Sequence, residues 1–200
     1  MFELAEYIGI IAFAMSGFFI AVRNKLDLLG VLISAFLTAL GGGIVRDVIA
    51  DRTPYTFSHM LPAIMIISVM VLLILFKFHK KDSIENKPIF ILSDSIGLAS
   101  FSITGALIAM EAGLNPTGVL ALAFITAVGG GIVRDVIINE VPFIFKTGFY
   151  GTVSLLIGAV MIVLNYFDMI NYVTLAIVLV TGVAIRMVAF YKEWSIPTLK

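Results

Sequence analysis

The nine residues GGGIVRDVI occupy positions 41–49 and recur unchanged at 129–137. Each copy joins three successive glycines to an Arg-Asp pair, and each lies inside a long apolar run. An interior glycine costs a helix about 1 kcal/mol relative to alanine. An arginine at the centre of a membrane helix costs about 2.5–3.5 kcal/mol on insertion scales. The charges therefore need partners, and the glycines need either a break in the helix or a close neighbour. The repetition requires two copies of one structural unit.

The apolar runs decide the environment. The chain has 200 residues, 60% of them hydrophobic and 13% charged, against roughly 25% charged in a typical soluble domain. Runs near 20 residues match a hydrocarbon core of about 30 Å. The fold class expected is an all-α integral membrane protein with seven spans, near 4–22, 28–50, 60–76, 89–110, 115–138, 148–164 and 172–190. The runs are continuous and not alternating, which excludes a transmembrane β-barrel. Glu3 and Glu6 precede the first apolar core where a cleaved signal peptide would carry basic residues. The formal charge is zero, so nothing points to nucleic acid as a partner. With no cysteine there is no disulfide framework or thiolate site. No nucleophile–base pair or metal cluster is apparent, which leaves an enzyme as a distant reading. His59 and His79 read as solvated loop residues.

Seven crossings place the termini on opposite sides. One side collects Arg23, Lys25, Lys77, Lys80, Lys81, Lys87, Lys146, Arg186, Lys192 and Lys200, while loops of the other hold only Arg52. Basic loops mark the cytoplasmic face. The N-terminus is therefore expected outside and the C-terminus in the cytoplasm of a cell-membrane protein, with 77–88 as a solvated cytoplasmic linker.

The repeat runs well past the nonapeptide at an offset of 88 residues. Gly9 matches Gly97, Ser16-Gly17 matches Thr104-Gly105, Gly30 matches Gly118, Thr38-Ala39 matches Thr126-Ala127, and Pro54 matches Pro142. Glu6 corresponds to Asp94. A single membrane domain then comprises a three-span unit at 1–76, a second at 89–164 and an added span at 172–190. Three is odd, so the second unit enters inverted and a pseudo-two-fold axis lies in the membrane plane.

Three glycines in a row invite a break, and open backbone at membrane depth survives only in protein or beside a wet cavity. Spans two and five are thus expected to break at Gly41, Gly42 and Gly43 and at Gly129, Gly130 and Gly131, with the breaks facing one another. The alternative is that the glycines only permit close helix packing. Adjacent side chains on a helix point about 100° apart, so each arginine is expected to pair across the repeat, Arg46 with Asp135 and Arg134 with Asp47. Thr38 and Thr126 share a face with these arginines. Ser16, Ser102 and Thr104 are weaker candidates for a polar lining, since membrane serines and threonines mostly bond to backbone. Asp94 is an intramembrane acid and a functional candidate by default, with helix capping as its alternative. A dinucleotide-binding reading fails, because Arg46 and Arg134 stand where G-x-G-x-x-G needs its third glycine.

Two glycine–Arg–Asp motifs in a three-plus-three-plus-one chain resemble the prokaryotic trimeric intracellular cation (TRIC) channel family, also labelled a glycine-transporter domain family. The resemblance implies a homotrimer in membrane lipid, with no cofactor and a pore within each subunit permeable to monovalent cations, chiefly potassium. It implies that the six glycines form the constriction and that Arg46, Asp47, Arg134 and Asp135 are its charged residues. Leu122 stands opposite Ser34 in the repeat, so a polar stripe is not fully symmetric. Two Arg and two Asp sum to zero, so cation preference would rest on carbonyls and hydroxyls. The competing function is a carrier of a small zwitterion such as glycine, with Arg holding the carboxylate and Asp the ammonium.

Overall fold

The computed structural model describes residues 1–78, 88–146 and 149–195. Most of the expected linker, including His79, Lys80, Lys81 and Lys87, lies outside the described residues, as does Lys200. Among the described residues there are nine helices: α1 (Phe2–Arg23), α2 (Leu28–Ile49), α3 (Tyr55–Ser58), α4 (Leu61–Leu75), α5 (Pro88–Glu111), α6 (Pro116–Ile137), α7 (Phe143–Lys146), α8 (Tyr150–Tyr166) and α9 (Tyr172–Tyr191). Five of them, α1, α2, α5, α6 and α9, are long and apolar enough to cross a membrane, while α4 and α8 are shorter apolar helices. The four-residue helices α3 and α7 have no counterpart in the hydropathy reading.

The local signals that start and stop α2 and α6 recur at the same 88-residue offset. Asp27 caps α2 by accepting from the Gly30 amide at 2.7 Å, and Asn115 caps α6 by accepting from Gly118 at 2.8 Å. Such caps satisfy amides that a helix N-terminus leaves orphaned. Beyond the other ends, Asp51 and Asn139 adopt positive φ of 54° and 60°. That left-handed turn stops the helix and redirects the chain.

Reciprocal glycine–aromatic contacts pack the two units together. A Cβ on Gly9 would meet the Phe101 ring at 2.7 Å, and one on Gly97 would collide with Phe13. The two rings touch edge-on with centroids 5.2 Å apart. Each contact is the other displaced by 88 residues, so α1 and α5 lie antiparallel across the pseudo-two-fold axis. Helix α5 is the most enclosed, with 83% of its apolar window buried, against 28% for α9 at the rim.

The glycine triplets do not break their helices. Helix α2 is continuous over Leu28–Ile49 and α6 over Pro116–Ile137. Instead α2 and α6 cross antiparallel with their backbones in contact. A Cβ on Gly41 would sit 3.0 Å from the Gly130 Cα, one on Gly130 would sit 2.7 Å from the Leu37 carbonyl oxygen, and one on Gly42 would strike the Thr126 carbonyl. Absent side chains allow this approach, which is the reading of small-residue packing. Neighbouring crossings use the same device, with Gly17 against Ser34 and Ala35, and Gly105 against Leu122 and Ala123.

Contacts at the helix ends order the bundle. Arg52 pairs with Glu111 at 3.1 Å, and the Met1 amino group donates to the Tyr172 hydroxyl at 3.4 Å, at what we call the Met1 end. At the Lys146 end Glu140 pairs with Lys146 at 2.7 Å and with Arg23 at 3.3 Å. The hydrogen bond from Lys146 is the main cause that holds the Glu140 carboxyl below the ordinary glutamate range. Helices α4 and α8 run between these same two ends. Ile74, near the close of α4, borders a cavity with Val22 and Lys25, and Phe149, which opens α8, meets Trp194 beyond α9 at 5.5 Å.

Alanine at Gly42 or Gly130 therefore meets rigid backbone and should lower the thermal unfolding midpoint, overpacking costing about 1–3 kcal/mol. Alanine at Gly131, where a Cβ would lie 3.7 Å from Arg134 Nη2 in ordinary van der Waals contact, should raise it by gaining helix propensity. Equal shifts for all three variants in detergent melts would show that the crossing is not backbone-limited.

Candidate functional site

The two Arg-Asp pairs lie on opposite sides of the α2–α6 crossing. Because these helices run antiparallel, going towards the C-terminus of α2 leads to the Met1 end and along α6 to the Lys146 end. Gly42 is level with Thr126 and Gly130, which places Arg46 and Asp135 roughly 16 Å apart along the axis at 1.5 Å per residue. The expected cross-repeat clasp does not form. Arg46 Nε instead donates to its own neighbour Asp47 at 2.8 Å, and Arg134 Nε to Asp135 at 2.8 Å. The long arginine side chain folds back, so the 100° between adjacent residues is no obstacle. The second oxygen of each aspartate accepts a backbone amide just past the proline, Tyr55 for Asp47 and Phe143 for Asp135, each at 2.8 Å. The turns leading into α3 and α7 thus fix the carboxylates.

The cluster at the Met1 end is fully engaged. Arg46 Nη1 donates to Glu6 Oε2 at 2.6 Å and to Thr104 at 3.1 Å, and Nη2 donates to Glu6 Oε1 at 3.1 Å. The guanidinium carbon lies 4.9 Å from the centre of the Phe2 ring. Arg46 is wholly buried and Glu6 is 4% exposed. Two carboxylates therefore face one guanidinium. Glu6 is the cluster residue that the hydropathy reading did not single out, although its register with Asp94 marked it.

The cluster at the Lys146 end differs by one methylene. Asp94 stands in the place of Glu6, and no ion pair forms between it and Arg134. Its carboxylate accepts from Ser16 at 3.0 Å and is met by the Tyr150 hydroxyl. The remaining Arg134 nitrogen, Nη1, crosses the repeat to Thr38 at 3.1 Å. A cavity of about 10 Å³, bordered by Thr38, Asp94, Arg134, Asp135 and Tyr150, remains there. That is about the volume one water needs. Thr38 and Thr126 also donate back to Ser34 and Leu122, both at 2.6 Å, and Ser102 donates to Leu98 at 2.7 Å. Of the weaker candidates, Ser16, Thr38, Thr104 and Asp94 join the clusters, whereas Thr126 and Ser102 bond only to their own helices. His59 stacks on Tyr55 at 4.1 Å. Arg186, counted with the basic flank in sequence, is 2% exposed on α9.

Comparison with known proteins gives this arrangement a family. The family model described as "Glycine transporter" matches residues 3–79 and again 91–166, one match for each copy of the repeat. A membrane protein of Deinococcus radiodurans is 41% identical over 137 residues, 68% of this chain and 63% of that one. The membrane protein YvgT of Bacillus subtilis is 33% identical over 98% of this chain and 95% of its own. The inner membrane protein YadS of Escherichia coli K12 is 29% identical over 96% of this chain and 93% of its own. A TRIC cation-channel structure concerned with conductance superposes with a TM-score of 0.85 at 33% identity, covering 100% of this chain and 98% of that one. The TRIC orthologue from Rhodobacter sphaeroides gives 0.86 at 26% identity, covering 96% and 98%. The chain belongs to the TRIC family. It is a multi-pass membrane protein whose structural relatives are ion channels, not enzymes.

Within this TRIC-family fold the Glu6–Arg46 pair is open to a direct test. Removing one member of a buried pair costs about 3–5 kcal/mol, because the surviving charge is stranded. Arg46→Ala, which strands two carboxylates, should destabilise more than Glu6→Ala, which leaves Arg46 its Asp47, and the double variant should lose less than the sum of the two. Simple additivity in a thermal-unfolding cycle would mean that the two side chains do not interact.

Proposed function

We propose that the chain is a cation channel with a potassium-permeable pore inside each subunit. The pathway passes the α2–α6 crossing between the Glu6–Arg46–Asp47 and Asp94–Arg134–Asp135 clusters. The observation that carries this reading is the full-length likeness to solved TRIC cation channels at 33% identity. The charge count supports it. The buried ionisable side chains Glu6, Arg46, Asp47, Asp94, Arg134, Asp135 and Arg186 carry four acids against three bases. The surplus lies at the Met1 end, so cation preference has a side-chain source beyond carbonyls and hydroxyls. Glycine carriage at the two motif pairs needs Arg46 or Arg134 free to hold a carboxylate. Every nitrogen of Arg46 already donates to Glu6, Asp47 or Thr104, and those of Arg134 to Asp135 or Thr38. That favours the channel.

In this reading the conformation is non-conducting, because backbone contact at Gly41, Gly42 and Gly130 fills the crossing. The six motif glycines are the constriction, and opening separates α2 from α6. Seven helices cross the membrane, with α4 and α8 as short spans, and the subunit assembles as a homotrimer like the R. sphaeroides orthologue, which is described as trimeric. The Met1 end faces outward and the Lys146 end the cytoplasm.

Purified protein in planar bilayers should pass unitary potassium currents, and Glu6→Gln should lower the preference for potassium over chloride. Liposome uptake of labelled glycine without unitary currents would overturn the channel in favour of the carrier. For orientation, cysteines placed at Lys25 and Asn165 should label from opposite sides of intact cells, Lys25 only after permeabilisation. Labelling of both from outside would sink the assigned topology.

A further inference from the structure

Building on the reading that opening separates α2 from α6, we propose that the ion pairs Arg23–Glu140 and Arg52–Glu111 act as one device, two salt-sensitive latches that hold these helices together from both mouths of the crossing. The 88-residue offset relates the two pairs. Position 23 corresponds to 111 and position 52 to 140, so both pairs join the same two positions of the repeat. The residue types are exchanged between the copies. The first unit carries arginine at both positions and the second carries glutamate at both. Opposite charges therefore meet at each mouth, although the copies share no residue at these positions. Two arginine-bearing units set together in the same way would place arginine against arginine, which is unfavourable. What the two contacts have in common is their opposite sign, not a particular side chain.

The place of each pair in the fold makes it a latch. Arg52 follows the exit of α2, and Glu111 closes α5 just before α6 begins, so this pair bridges the crossing helices at the Met1 end. Arg23 closes α1 just before α2 begins, and Glu140 follows the exit of α6, which bridges them at the Lys146 end. Each pair joins one unit to the other, and parting the units at either mouth stretches the pair there. The anchorage is short. The Arg52 amide donates to the Asp47 carbonyl at 2.9 Å and the Glu140 amide to the Asp135 carbonyl at 2.8 Å, directly after the left-handed residues Asp51 and Asn139. A pull on either latch therefore acts on the backbone of a motif aspartate. Water reaches both pairs, and at the Met1 end the Arg52 and Glu111 side chains are 41% and 70% exposed. An exposed pair is worth roughly two- to fivefold in an equilibrium, enough to bias closing without locking it. Salt weakens it, because the Debye length falls from about 10 Å at 0.1 M to about 3 Å at 1 M.

The Met1-end pair gives the cleaner test, because Glu140 at the other end also binds Lys146. The chain has no cysteine, so spin labels go only to cysteines introduced at Ile49 and Thr117, exposed residues near the ends of α2 and α6 at that mouth. Dipolar electron resonance on the full chain in lipid nanodiscs, with labelled chains diluted among unlabelled ones, reads the ratio of parted to closed helices. At about 0.1 M KCl, Arg52→Glu or Glu111→Arg should raise that ratio about threefold. The exchange variant Arg52→Glu/Glu111→Arg should return it to the parent value, which also controls for general damage. At about 1 M KCl the parent and the single variants should converge. A ratio that the single reversals leave unchanged, or that the exchange does not restore, overturns the latch. Potassium currents recorded on the same variants keep this result apart from the channel reading. Restoration by the exchange with no current in any variant retains the latch and sinks the channel. Currents alongside a ratio indifferent to charge reversal retain the channel and sink the latch.

Discussion

The contact on which the rest of the structure depends is backbone against backbone where α2 crosses α6. Two helices with side chains at the crossing keep their axes 8–10 Å apart. Glycine at 41, 42 and 130 removes that spacer, and carbonyls of Thr38 and Thr126 face the opposing chain directly. The close approach fixes how far each Arg-Asp pair sits from the centre. It also lets Arg134 reach Thr38 of the other unit at 3.1 Å. Lipid supplies no hydrophobic force between helices, so packing of this kind and the buried ion pairs are what hold the bundle in one arrangement.

The inverted repeat also explains why the charges sort into two clusters. A two-fold axis in the membrane plane exchanges the two faces, so identical segments 41–49 and 129–137 must send their charged ends in opposite directions. Each cluster must then be neutralised locally. The adjacent aspartate does this for each arginine; Glu6 adds a second carboxylate to Arg46, while Asp94, one methylene shorter, leaves Arg134 to Asp135 and a threonine. Prolines 54 and 142 start the turns whose next amides complete both aspartates.

Hydropathy and the 88-residue offset made most of the fold legible. The approximate span bounds and the Gly9–Gly97 equivalence follow from residue types at fixed spacing. What glycine does was not legible, since three glycines read alike whether they open a helix or admit a neighbour. The answer lies in the facing element, here the Thr126 and Leu37 carbonyls. The pairing of the arginines was open to deduction, because antiparallel crossing alone forbids Arg46 from reaching Asp135. Glu6 and Arg186 were hidden for another reason. A charge near the end of an apolar run reads as interfacial, and only packing by Phe2 around the Glu6–Arg46 pair, or by Tyr150 and Phe190 on Arg186, makes it buried.

The residual asymmetry has a direction. Two near-identical units would give a pathway with equivalent halves, yet Glu6 has become Asp94, Ser34 has become Leu122, and Arg186 comes from a helix with no partner in the repeat. The Met1 half therefore carries two carboxylates on one arginine. The Lys146 half has balanced charge and a water-sized cavity. In the proposed channel a cation would meet a cluster with a surplus carboxylate from one side and a charge-balanced one beside a water-sized cavity from the other. If α2 separates from α6 as proposed, the Arg134–Thr38 bond that joins them must break, whereas the Glu6–Arg46–Thr104 link ties α2 to α1 and α5 and decides which helices move with it.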